Sequence, residues 1–79
     1  NRQALKFYDK LIANLGERNK KSKKPIKLLL RRGAVHELIG QWEEGERDYR
    51  EGLDRAKALN DWYLIGRSNR RLGQLLMLR

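Results

Sequence analysis

The strongest constraint on the fold of this chain is an internal echo with a period of about 40 residues. The segment 29–38 is echoed by the segment 69–78, so that Gly73 stands where Gly33 stands in the earlier copy. The segment 4–8 is echoed in the same way by the segment 45–49. A period of this length in a helix-rich chain is typical of helical repeat arrays. A unit of such an array buries its apolar face only by stacking on a neighbour, and it offers a surface for binding.

Length and composition narrow the range of possible folds and cellular locations. The 79 residues are enough for one small domain with a modest core, and 37% of them are charged, which favours thin helical layers. The absence of cysteine excludes disulfides and thiol chemistry. The chain has no apolar run near the roughly 20 residues of a membrane span, and it does not open on a signal-peptide pattern. We therefore expect a cytoplasmic protein without a membrane partner.

The charge is strongly basic and unevenly distributed. Lysine and arginine number 19 against 10 acidic residues, which gives a net charge of +9. No acid lies between Arg18 and Arg32, and none follows Asp61, whereas acids gather in the segment 43–54. A basic surplus of this kind favours an acidic partner such as an acidic peptide or a nucleic acid.

The first half of the chain predicts two helices. Apolar residues at helical spacing predict a helix over 2–16, with Gly16 as its C-cap. Pro25 is predicted in the first turn of a second helix that ends near Ile39. Gly33 lies inside this helix, where a glycine costs about 1 kcal/mol relative to alanine. We therefore expect another helix to approach closely at that point, and we expect the same at Gly45, Gly52 and Gly73.

The second half predicts two more helices. Residues 39–42 are predicted as a tight turn, followed by a helix from Glu43 to about Leu59 with carboxylates in its first turn. Asn60 is predicted to be the N-cap of a last helix over 61–79. Alternating strand patterns are not evident. The prediction is an all-α fold of four helices in two antiparallel hairpins.

Several small and aromatic residues of these helices resemble the tetratricopeptide repeat family. Their order and spacing match that family's small–aromatic–small pattern, at Gly33, Trp42, Gly45, Tyr49 and Gly52. The resemblance covers essentially the whole chain and implies an α-solenoid, in which helix hairpins stack into a superhelix. A spacing of about 40 residues resembles the longer variant of the family. Arg32 departs from the pattern, because the family prefers leucine there.

The phasing of this resemblance divides the chain into repeats. It implies a single segment with a half repeat over 1–17, a full repeat over 25–59 and a half repeat over 60–79. Because arrays usually need about three repeats, we expect this segment to belong to a longer array and to self-associate through its ends.

The resemblance also implies a binding groove. In the family the first helix of each repeat lines the concave side. The matching positions here are Lys27, Leu30, Arg31, Ala34 and Glu37 in one repeat and Arg67, Arg70, Arg71, Gln74 and Met77 in the next. The residues predicted to contact a peptide are Lys27, Arg31, Arg67, Arg70, Arg71 and Gln74. The resemblance implies a non-catalytic scaffold for protein–protein interaction that binds an acidic or carboxylate-bearing peptide. The competing interpretation is that these cations only solubilise thin helices.

Two further functions stay open from the residues alone. The first is a nucleic-acid-binding helical repeat that uses the lysines of 20–27 together with the same arginines. The lysine run carries no interleaved aromatic residue, so a solvated connection is the preferred interpretation of that run. The second is a structural spacer within a larger regulatory protein, which would have no partner of its own.

Enzymatic chemistry has little support in the sequence. His36 is the only histidine, and Ser22 and Ser68 are the only serines, so we predict no enzyme, no metal and no cofactor. A packing role is predicted for His36. Trp62 and Tyr63 are predicted to pack at the start of the last helix, one in the core and one partly exposed, rather than to anchor a ligand.

Overall fold

The computed structural model describes residues 2–18 and 23–78. They form four helices, which are α1 (Arg2–Arg18), α2 (Lys24–Leu38), α3 (Trp42–Ala58) and α4 (Trp62–Leu78). No strand occurs within these two ranges, so the prediction of an all-α chain with four helices is confirmed.

A left-handed glycine ends α2 and turns the chain into α3. Gly40 has a φ of 78°, and its N–H donates to the carbonyl of Glu37 at 3.0 Å. The N–H of Gln41 donates to the carbonyl of His36 at 2.7 Å. This pair of bonds is a Schellman motif, which satisfies carbonyls at the helix end and needs a residue that tolerates positive φ.

The connection between α3 and α4 has the same backbone pattern, with an asparagine in place of the glycine. Asn60 has a φ of 54° and donates to the carbonyl of Lys57 at 3.0 Å, while Asp61 donates to that of Ala56 at 3.1 Å. The N-cap is Asp61, because its side chain accepts the N–H of Leu64 at 3.1 Å. The prediction of Asn60 as N-cap is therefore wrong by one residue. Asn60 instead occupies the left-handed position of the Schellman motif that ends α3.

Two other predicted boundaries shift and one is confirmed. α1 continues to Arg18, so Gly16 is not its C-cap. A glycine can adopt the helical conformation as well as the left-handed one, so a glycine alone does not end a helix. Trp42 is the first residue of α3 rather than part of the turn. Pro25 lies in the first turn of α2, as predicted, where its missing N–H has no intrahelical partner to lose.

The crossing of α2 and α3 is tight because glycines line it. A Cβ built on Gly33 would lie 2.5 Å from Cε1 of Tyr49, and one on Gly45 would lie 3.1 Å from the carbonyl oxygen of Gly33. The predicted close approach at Gly33 is confirmed. Gly73 differs from its counterpart, since it is exposed and a Cβ there would meet no atom within 4 Å, so the expected helix contact at Gly73 is wrong.

The core lies among α2, α3 and α4 in two clusters. The first contains the buried side chains of Leu30, Tyr49, Leu72 and Leu75. The second contains those of Ile26, Ala56 and Leu64. Within residues 2–18 and 23–78, α1 packs against α2, no Cα atom of α1 lies within 8 Å of one in α3 or α4, and α2 also touches α4. The arrangement is therefore open at α1 rather than closed into a ring of four helices.

Candidate functional site

A groove with an apolar floor and cationic walls runs between α2 and α4, with α1 at one side. We call it the basic groove; it encloses about 240 Å³ and is lined by Tyr8, Leu30, Arg31, Ala34, Arg67 and Arg71. Leu30 and Ala34 lie one helical turn apart on α2, and Arg67 and Arg71 lie one turn apart on α4, so each pair shares a helix face. The floor is set by the core residue Leu30, whereas Arg31 and Arg67 are exposed.

A larger cleft adjoins the basic groove along α4. We call it the α4 cleft; it encloses about 700 Å³ and is lined by Trp62, Tyr63, Gly66, Arg67, Arg70, Arg71 and Gln74. Arg67 and Arg71 line both concavities and so connect them. The described lining of both concavities includes arginines and no carboxylate, which gives a continuous positive surface.

The arginines of this surface are free of internal ion pairs. Within the described residues, no ion pair or side-chain hydrogen bond involves Arg31, Arg67, Arg70 or Arg71. Arginines elsewhere behave differently, since Arg50 pairs with Glu46 at 2.9 Å and Arg55 pairs with Glu51 at 3.1 Å. Free guanidinium groups keep their planar donor fork available to a carboxylate or phosphate from outside.

The structure thus brings together five of the six residues predicted for the site. Arg31, Arg67 and Arg71 line the basic groove, and Arg70 and Gln74 join them through the α4 cleft. Lys27 is exposed on α2 and lines neither concavity.

Arg71 also lies near the buried ring that crosses Gly33. Tyr49 is fully buried, and the Glu37 carboxylate and the Arg71 guanidinium lie near its hydroxyl. Burial raises the pKa of Tyr49 strongly; the nearby Glu37 carboxylate raises it further, while the positive charge of Arg71 lowers it. The tyrosine therefore stays neutral beneath the site and acts as a rigid support.

A separate polar cluster on α1, α2 and α3 contains acidic residues that pair with Arg32, away from the basic groove. Arg32 donates from Nε and Nη2 to both carboxylate oxygens of Asp48 at 2.8 and 2.7 Å, and from Nη1 to Asp9 at 2.7 Å. The bond to Asp48 is the main cause that raises the pKa of Arg32, so its charge is permanent. His36 lies 3.6 Å from Asp48 and pairs with Gln41 at 2.7 Å. The half-buried His36 is thus fixed by neighbours within the fold.

The structure describes only part of the lysine run that was considered as a possible phosphate contact. Lys20, Lys21 and Ser22 lie outside the described residues. Lys23 forms an ion pair with Asp61 at 2.9 Å, which links the start of α2 to the turn before α4. That lysine therefore has a partner within the fold.

Sequence reasoning missed four lining residues of the site. Tyr8, Trp62, Tyr63 and Gly66 were not among the predicted ligand contacts. Trp62 and Tyr63 are 79% and 70% exposed, so the prediction that one of them belongs to the core is wrong. Helical spacing carried a usable signal, because Trp62, Gly66 and Arg70 follow one another at four-residue intervals on one side of α4.

Comparisons with known proteins provide no relative for this chain. No protein-family model, curated protein or solved structure matches it. Among the described residues no group of three or more histidine, aspartate or glutamate side chains could hold a metal ion, and no helix is long and apolar enough to cross a membrane.

Proposed function

We propose that the chain is a non-catalytic protein-interaction module of tetratricopeptide type that binds an acidic or carboxylate-bearing peptide across the basic groove. The observation that carries the proposal is the lining of one continuous surface by Arg31, Arg67, Arg70 and Arg71, none of which is neutralised within the described residues. Unpaired arginines beside apolar floor residues suit an extended chain that presents carboxylates at intervals.

The arrangement of the helices supports the solenoid part of the proposal. In a stacked array each helix meets its neighbours in sequence, and the first helices of successive hairpins touch each other. Here α1 packs on α2, α3 lies against both α2 and α4, and α2 touches α4. Segregation of charge supports the peptide part. Glu44, Asp48 and Glu51 of α3 lie in the cluster around Arg32, and Glu46 and Glu51 pair with arginines of their own helix. Self-association through the ends and membership of a longer array remain predictions.

The proposal is tested by reversing charge in the groove. The probe is a fluorescein-labelled nine-residue peptide of alternating aspartate and serine with a free carboxyl terminus, followed by fluorescence anisotropy. We expect saturable binding to the unmodified chain and loss of binding for the double variant Arg67→Glu/Arg71→Glu. Arg67 is exposed and Arg71 half-buried, so circular dichroism should show unchanged helicity.

The matched control is Lys6→Glu/Lys10→Glu, which makes the same change in net charge at two exposed positions one turn apart on α1, and neither lysine lines either concavity. The control should retain most of the affinity. Equal losses in the two double variants would show that only net charge matters, and the groove assignment would then be wrong.

A second candidate function is single-stranded nucleic-acid binding, and one observation favours it. Trp62 and Tyr63 stand exposed beside Arg67 and Arg70, and the combination of flat aromatic faces with cations suits stacked bases and phosphates. This function predicts steep weakening of binding with salt. A gel shift with an oligouridine and an oligodeoxythymidine at low and physiological salt separates it from peptide binding, whereas a structural spacer would bind none of these probes.

A further inference from the structure

Two glycines of α4, Gly66 and Gly73, have no explanation within the fold, and of these only Gly66 lines the α4 cleft. Gly33, Gly45 and Gly52 face neighbouring atoms that a Cβ would meet at 2.5, 3.1 and 3.4 Å, and Gly40 has a positive φ. Gly66 has none of these features, because it lies inside a helix at negative φ and a Cβ there would meet nothing within 4 Å. An exposed glycine inside a helix lowers helix stability by about 1 kcal/mol relative to alanine, and at Gly66 no packing contact offsets this loss.

The space above Gly66 is bounded by aromatic and cationic side chains. Trp62 lies one turn before Gly66 on α4 and is 79% exposed, and Arg70 lies one turn after it. All three line the α4 cleft, together with Tyr63. The cleft therefore offers a flat apolar wall, a bare backbone floor and a guanidinium within two turns of one helix.

We propose that this part of the α4 cleft is an apolar subsite that receives an aromatic side chain of the acidic ligand, with its ring against Trp62 and over Gly66. The inference rests on the function proposed above and adds the class of ligand: an acidic segment that carries an aromatic residue. The aromatic ring gains from offset or edge contact with the indole. Arg70 can lie over the other face of the ring as a cation–π partner. Charge favours an acidic carrier, because α4 contains arginines and no acid.

Two labelled peptides test the subsite. One is the aspartate–serine peptide described above, and the other differs only by phenylalanine at its centre. We expect the phenylalanine peptide to bind the unmodified chain about ten times more tightly, which corresponds to about 1.4 kcal/mol. Trp62→Ala should remove this preference, so that the variant binds the two peptides with equal affinity. Because Trp62 is largely exposed, circular dichroism should show an intact fold.

A matched pair of glycine variants separates binding from folding. Gly66→Leu and Gly73→Leu each place a good helix former at an exposed helical glycine with open space around it. Both should raise the melting temperature. Only Gly66→Leu should abolish the preference for phenylalanine, since Gly73 does not line the α4 cleft.

The outcomes distinguish the subsite from the groove. Loss of binding of both peptides in Arg67→Glu/Arg71→Glu, together with equal affinity for the two peptides in Trp62→Ala, supports both proposals. Equal affinity of the unmodified chain for the two peptides, or a preference that survives Trp62→Ala, overturns the subsite and leaves the groove standing. Absence of binding by either peptide overturns both.

Discussion

The ring of Tyr49 on α3 occupies the place where a side chain of Gly33 on α2 would be. A Cβ at Gly33 would lie 2.5 Å from Cε1 and 2.8 Å from Cδ1 of this fully buried ring. The missing side chain therefore sets the distance between the two helices. It also lets the tyrosine cross α2 toward Glu37 and Arg71, which both act on its pKa. The position of the basic groove above this crossing depends on that contact.

Replacing Gly33 by alanine should destabilise the protein. The added methyl group cannot fit without movement of a buried ring or of the backbone, and overpacking of this kind costs about 1–3 kcal/mol. Urea unfolding followed by circular dichroism measures the change. Gly73→Ala is the control, because its Cβ meets no neighbour, and there the better helix propensity should add about 0.5–1 kcal/mol. Equal effects of the two changes would contradict the crossing described here.

Removing Arg32 should destabilise the fold more than removing its exposed partner Asp9. Arg32→Leu leaves the Asp48 carboxylate, whose side chain is only 7% exposed, without its bidentate partner. Breaking a buried pair in this way costs about 3–5 kcal/mol. Asp9→Asn should cost about 0–1 kcal/mol, since the Asp9 side chain is 59% exposed. Thermal unfolding of both variants gives the comparison.

The double variant Arg32→Leu/Asp48→Leu checks the cause of that loss. If the penalty comes from an uncompensated buried charge, removal of both charges should recover much of the stability. A double variant as unstable as Arg32→Leu alone would mean that packing of the arginine stem, rather than charge, accounts for the effect.

Asp61 should make the stability of the fold dependent on acid pH. The ion pair with Lys23 is the main cause that lowers the pKa of Asp61, and the N–H of Leu64 lowers it further. A carboxyl whose pKa is lower in the folded state stabilises above its unfolded pKa of about 3.9. This stabilisation is lost as the pH falls through the folded pKa. Asp61→Asn keeps an N-cap but removes the charge.

The stability difference between the unmodified chain and Asp61→Asn isolates this group from other carboxylates. It should be largest near neutral pH, disappear in strong acid and shrink with added salt, because the Lys23 side chain is 63% exposed. Unfolding curves at a series of pH values measure it. A difference that is constant with pH would argue against the ion pair.

Local signals in the sequence were sufficient for the helices and for much of the groove. The 3.6-residue spacing of apolar residues predicts each helix, and small residues at Gly33, Gly45 and Gly52 predict the close contacts that the structure contains. For the groove, the signal was the match to the tetratricopeptide pattern, which assigned Arg31, Arg67 and Arg71 to one side although they lie on two helices.

Other features depend on pairs that are distant in sequence. Arg32 was a departure from the family pattern, and its partners Asp9 and Asp48 lie 23 and 16 residues away, a pairing that no local signal specifies. The exposure of Trp62 and Tyr63 depends on which elements lie opposite α4, whereas spacing reports only that a residue is apolar. The turn at Asn60 shows a third limit, because asparagine favours both N-caps and left-handed positions.

The two Schellman turns have a consequence for how such a protein can lengthen. Gly40 and Asn60 reverse the chain through equivalent hydrogen bonds. The connection before α3 and the connection after it therefore have the same backbone conformation. Duplication of the DNA that encodes one helix pair would therefore insert another pair without requiring a new connection. Only the contact surfaces would then have to adapt by point mutation, which is a gradual route open to selection.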